Sequence, residues 1–193
     1  MTNISISEEI ATACPDLHVL VLSCDVCNSE PDERLWQEIA DEEKAVRETV
    51  KLEQINKWLP IQATRQAYKR LGKDPNRYRP SSEALRRRIL RELPLYKVDT
   101  LVDLINLVSI RSGYSIGGFD ADKIAGGSLV LGVGREGEIY HGIGRGELNI
   151  AGLPVYRDAV GGGGTPTSDE ERTENVRTHK RPFKLKSEQP SFQ

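Results

Sequence analysis

The chain has 193 residues, with 27 Lys and Arg against 29 Asp and Glu, a net charge of -2, 37% hydrophobic residues and a mean hydropathy of -0.49. That is enough apolar material for one ordinary core, and no apolar run approaches the about 20 residues that span a bilayer. The N-terminus, MTNISISEEIATACPD, has neither a basic region nor an apolar one of the secretory kind, so a cytoplasmic address is expected.

Along the chain, His18–Leu22 is a short apolar run and predicts a buried strand. Cys24 and Cys27 form a C-x-x-C, but no second pair stands at metal-binding spacing, and a turn-like Asn28-Ser29-Glu30-Pro31 follows. The pair is read as unconnected cysteines, and no metal or cofactor is implied. Leu35, Ile39, Val46, Val50 and Ile55 recur at helical spacing, which predicts one helix over Glu33–Trp58, ended by Pro60. A second helix is expected over Gln62–Leu71, closed by Gly72. Pro80-Ser81-Ser82-Glu83 reads as a helix start with a serine cap, and that helix runs to about Leu93. Thr100–Ser112 carries apolar residues around nearly its whole circumference, so it is expected to be the central buried helix, with a charge at Leu104 collapsing the fold. Its polar residues Asp103, Asn106 and Ser109 need partners or a cavity, and Gly113 closes it. Short β elements are expected at Ser128–Leu131, Gly137–Tyr140 and Leu153–Tyr156. Gly161–Gly164 is expected to be a loop, and with no Lys-Ser or Lys-Thr after it, it is not a phosphate loop.

Charge is unevenly spread. Residues 1–55 hold 13 Asp and Glu against 4 Lys and Arg, whereas residues 65–97 hold 11 Lys and Arg against 3 Asp and Glu. The basic segment, with Tyr68, Tyr78 and Tyr96 interleaved, has the make-up of a surface for phosphates and unpaired bases. From charge alone it is equally a solvated face set against the acidic N-terminal segment.

VDTLVDLINLVSIRSGYSIGGFDADKIAGG (Val98–Gly127) resembles the B3/B4 domain of the bacterial phenylalanyl-tRNA synthetase β-subunit, with Asp103, Asn106, Gly113, Phe119, Asp120, Asp122, Lys123, Ile124 and Gly127 on its pattern. Gly72-Lys73-Asp74-Pro75, Arg77–Leu85 and Pro166–Thr173 resemble the free-standing members of that family. The likeness covers residues 5–173, and it implies a single α+β domain with a mixed central sheet flanked by helices. Gly117-Gly118 stands where the synthetase has a histidine. Residues 174–193, ENVRTHKRPFKLKSEQPSFQ, depart from the family and read as a basic, disordered or truncated tail.

In the synthetase this domain contacts tRNA and hydrolyses wrongly esterified tyrosine. The resemblance therefore implies tRNA, through its aminoacylated 3′ end, as partner, and an aminoacyl-tRNA deacylase acting in trans as function. A non-catalytic tRNA-binding module and an amino-acid binder using the same cavity are the alternatives. The pocket is expected to bring Gly117 and Gly118 opposite Thr167–Arg172, with Asn106 at its floor and Ser109 beside it. Asn106, Asp169 and Arg172 are the catalytic candidates: Asp169 would bind the α-amino group or orient water, Arg172 would hold a phosphate or the carbonyl, and Asn106, with Thr167 and Ser168, would give directional hydrogen bonds. Asp169 and Ser168 fit equally as turn formers, and Asn106 as a core hydrogen-bonder. Arg79, Arg86, Arg87 and Lys97 are the candidates for the tRNA backbone.

Overall fold

The helices follow from their caps. In this computed structural model, which describes residues 3–173, helix α1 (Glu8–Ala13) starts where Ser7 accepts the Ile10 N–H at 3.3 Å. Helix α2 (Glu33–Thr49) starts where Asp32 accepts the Leu35 N–H at 2.9 Å. The single helix expected over 33–58 is interrupted: Val50 is extended, and a 3-10 turn occupies Leu52–Lys57. The Lys51 N–H donates to the Gln54 side chain at 3.1 Å and restarts the chain there, so local capping overrides periodicity. Helix α3 (Leu59–Arg70) then begins with Pro60 in its first turn. Pro60 opens a helix rather than ending one, because a first-turn N–H has no partner to lose.

Helix α4 (Ser81–Leu90) has Pro80 at its cap position without a side-chain bond, and it stops three residues before the expected Leu93. Ser82 is fully buried instead, facing Ser115 at 3.4 Å. Helix α5 (Thr100–Ser112) has the expected bounds. Asp99 accepts the Val102 N–H at 2.8 Å, and Gly113 closes the helix at φ 78°. A Cβ at Gly113 would lie 2.5 Å from the Trp58 ring, so glycine is required there by both backbone and space.

Val46 of α2, Ile89 of α4 and Ile110 of α5 meet in a helical core. Helices α2 and α4 both pack against α5. Leu101, Leu107 and Ile110 are buried, while Leu104 and Val108 are 46% and 45% exposed. The expectation of a helix buried all round, with Leu104 at its heart, is therefore corrected.

The sheet runs β1 (Asn3–Ile6), β2 (Ser128–Val133), β5 (Pro154–Arg157), β6 (Gly162–Gly164). Strands β1 and β2 are parallel, and the other pairs antiparallel. Between them in sequence, β3 (His141–Gly142) and β4 (Gly146–Glu147) form a small hairpin. Tyr68, Tyr140, Ile150, Leu153 and Val155 make a second core against the sheet. Helices beside a mixed sheet give the expected α+β class.

Three expectations fail locally. His18–Leu22 forms no strand and pairs with none among the described residues, and Leu20 and Leu22 are 61% and 54% exposed. In Gly137–Tyr140 only Gly137 belongs to a turn, residues 138–140 form no strand, and pairing is delayed to His141. The glycine run is the edge strand β6 rather than a loop, since bare backbone can press against Val155 and Tyr140. The basic tail expected at 174–193 lies outside the described residues.

Candidate functional site

Asp169 is carried by strand-like backbone. It bridges Gly164 at the end of β6, and its carbonyl accepts the Ile143 N–H at 3.0 Å. Its side chain enters a niche walled by glycine. The Gly118 N–H donates to Asp169 Oδ2 at 3.3 Å. A Cβ at Gly117 or at Gly164 would stand 3.1 or 2.9 Å from Oδ1. The Phe119 ring closes the niche: it fills the space a Gly164 side chain would take, and meets Tyr156 edge-on at 5.6 Å.

These surroundings strip water from the carboxylate. Burial pushes the Asp169 carboxyl up to about 7, against the opposing Gly118 N–H. Burial, and then the nearby Asp169 charge, push the Tyr156 phenol up to about 12. A carboxyl that titrates near neutrality holds and releases a proton at working pH, which is what a general acid–base group needs.

The expected opposition of Gly117-Gly118 and the 167–172 run is present at Asp169, but in direct contact rather than across an open cavity. Thr167 is buried and its Oγ1 lies 3.0 Å from the Tyr68 hydroxyl. Ser168 holds the turn: its carbonyl accepts the Tyr140 hydroxyl at 2.6 Å, and its N–H donates to Thr165 Oγ1 at 3.0 Å. Ser109 is buried and donates to the Tyr114 carbonyl at 2.6 Å, closing the end of α5. Asn106 is half-buried on α5.

Arg172 is not free to meet a substrate. Its Nη1 and Nη2 hold Asp158 Oδ2 and Oδ1 at 2.7 and 3.2 Å, and the Asp158 side chain has no exposure. Burial opposes the Asp158 charge, but Arg172 and the N–H groups of Ala125, Val160 and Gly161 outweigh it and hold that carboxyl below its usual range. The pair pins the loop before β6, which places Gly164 at the niche. Phe119, Tyr156 and Gly164 complete the site and escaped the sequence reading as site residues. Their signal was the glycine run, whose need for close approach could not be assigned to a partner from sequence.

The basic segment turns partly inward. Arg65 is buried and donates to Glu83 at 2.8 Å, the Pro75 carbonyl at 3.0 Å and Asn76 at 2.6 Å. Arg87, 18% exposed, reaches the other oxygen of the fully buried Glu83 at 2.8 Å. Arg86 is 8% exposed; it donates to the Ile110 carbonyl at 2.8 Å and stacks 3.5 Å over Trp58. Arg86 and Arg87 thus tie helices together rather than standing out as surface cations. Arg79 and Lys97 are exposed, Lys97 lying 4.8 Å over the Trp36 ring.

Among the described residues no three His, Cys, Asp or Glu could hold a metal ion. Cys24 and Cys27 are exposed free thiols. No helix among the described residues is long and apolar enough to cross a membrane.

Mixed sheet, buried arginine ties and a glycine-walled carboxyl at Asp169 together define an α+β module. The chain matches the B3/4 domain family over residues 63–177, more than half its length, a stretch that contains every residue of the niche. It belongs to that family, the domain found in the phenylalanyl-tRNA synthetase β-subunit, and is in general terms a tRNA-binding or editing-related module. No curated protein and no solved structure matches the chain.

Proposed function

We propose that the protein binds the 3′ end of aminoacylated tRNA and hydrolyses amino acids wrongly esterified there, on tRNA charged by a separate synthetase. The observation that carries this is the Asp169 carboxyl, raised to about 7 in a glycine-walled niche. Water attacks the ester carbonyl while Asp169 takes its proton. The bond to the ribose oxygen breaks, and Asp169 returns the proton to that oxygen. A group with pKa near the working pH can do both. Gly117 and Gly118 let substrate backbone and sugar come close, and Asn106 offers a neutral amide from α5. Arg172 acts through Asp158 as a positioning residue. Arg79 and Lys97 meet the tRNA backbone. A cytoplasmic address, where tRNA is charged, goes with this reading.

The Phe119 ring must turn aside for an ester to reach Asp169. That packing favours a second reading, tRNA binding without hydrolysis. A panel of mischarged tRNAs separates the two. Accelerated deacylation of at least one supports hydrolysis, whereas tRNA retention with no deacylation of any leaves binding alone.

A further inference from the structure

A second polar site lies away from the Asp169 niche, where the exposed side of α3 meets the 3-10 turn before it. Gln62, Arg65, Gln66 and Lys69 recur at i, i+3, i+4 and i+7, so they form one stripe. The 3-10 turn before α3 packs beside this stripe and adds Asn56 and Lys57. Together the six residues line an open pocket of about 250 Å³. No carboxylate lines it. Glu83 lies behind Arg65, already neutralised by Arg65 and Arg87. Lys57 and Lys69 are exposed and make no ion pair among the described residues. The wall therefore has an uncompensated positive charge and three side-chain amides.

One of those amides is unfinished. Asn56 Oδ1 is buried without a hydrogen-bond partner. Native structures rarely leave such an acceptor alone, and a turn of the amide about its last torsion offers either of its ends to the pocket.

We infer that this pocket binds one nucleotide unit of an RNA strand: its phosphate between Lys57 and Lys69, its ribose hydroxyl on the amides of Asn56 and Gln62. The volume suits a phosphate with its sugar rather than a whole folded partner. Lysines supply the phosphate charge without sequence preference. The amides both donate and accept, which matches a 2′-hydroxyl and distinguishes RNA from DNA. This inference rests on the RNA-binding reading above but uses none of the residues assigned there.

The test is fluorescence anisotropy of the full chain with labelled tRNA, and with single-stranded RNA and DNA of one sequence, across a salt series. A Lys57→Ala/Lys69→Ala variant with unchanged melting should bind RNA about tenfold more weakly at 0.1 M salt, with a salt slope shallower by about one. Asn56→Ala should keep the salt slope and lose preference for RNA over DNA. If the unaltered protein binds RNA while the lysine variant matches it in affinity and slope, the pocket is overturned and the RNA-binding reading stands. If the unaltered protein binds no RNA at any salt, both fall.

Discussion

Replacing Asp169 by Asn tests the niche through stability alone, with no substrate required. The exchange keeps shape and removes one titration. In the folded chain the carboxyl moves from 3.8 to about 7. One pKa unit corresponds to about 1.4 kcal/mol, so the full move amounts to about 4 kcal/mol. Local relaxation and water entry on ionisation reduce the cost of a buried charge, and about 2 kcal/mol is the expected size. The sign follows from proton counting. Between pH 4 and 7 the unfolded chain has lost the Asp169 proton and the folded chain has kept it. Stability is then highest in acid and falls as pH rises through the folded value. Asp169→Asn should therefore match the unaltered protein near pH 4 and exceed it by about 2 kcal/mol at pH 8. Urea unfolding of both proteins at the two pH values reads this difference directly, and comparing them cancels every other titrating group. Parallel stability profiles across that range would refute a desolvated carboxyl at this position.

The arginine ties give a second expectation. Glu83→Ala leaves Arg65 buried without its carboxylate and should cost about 3–5 kcal/mol in chemical denaturation. Gly113→Ala puts a side chain into the Trp58 ring at a left-handed residue, and should lower stability by more than about 1 kcal/mol while weakening the stacking of Arg86. Leu104→Asp should change stability by no more than about 1 kcal/mol, since Leu104 is 46% exposed. Leu107→Asp, at a buried position on the same helix, should prevent folding.

Leucines 104 and 107 show where the sequence was legible and where it was not. The bounds of α5 are written locally, in Asp99, Gly113 and the apolar run between them. Which apolar residues face inward is not, because α5 has apolar residues on more sides than α2 and α4 cover. The α+β class was legible from helical periodicities followed by short glycine-rich β segments. The strand expected at His18–Leu22 was not secured, because an apolar run becomes a strand only with a partner, and among the described residues it has none. Asp169 was legible through its family-like run, and Gly117-Gly118 as its partner through the glycines that stand where the synthetase has a histidine. That the Phe119 ring would fold over Gly164, and that Tyr156 would meet it edge-on, was not, because Tyr156 and Gly164 lie on other segments and only folding brings them there. Arg172 and Arg86 misled for a common reason: a cation in sequence carries no sign of the carboxylate or carbonyl it will meet. Asp158 and the Ile110 carbonyl took both.

The most direct test of the central claim is the pH dependence of deacylation of a mischarged tRNA, measured for the unaltered protein and for Asp169→Asn, with the rate in buffer subtracted. The rate should rise through about pH 7 as Asp169 ionises, and the variant should bind tRNA normally yet hydrolyse at the rate of buffer. A variant as fast as the unaltered protein at every pH would contradict it.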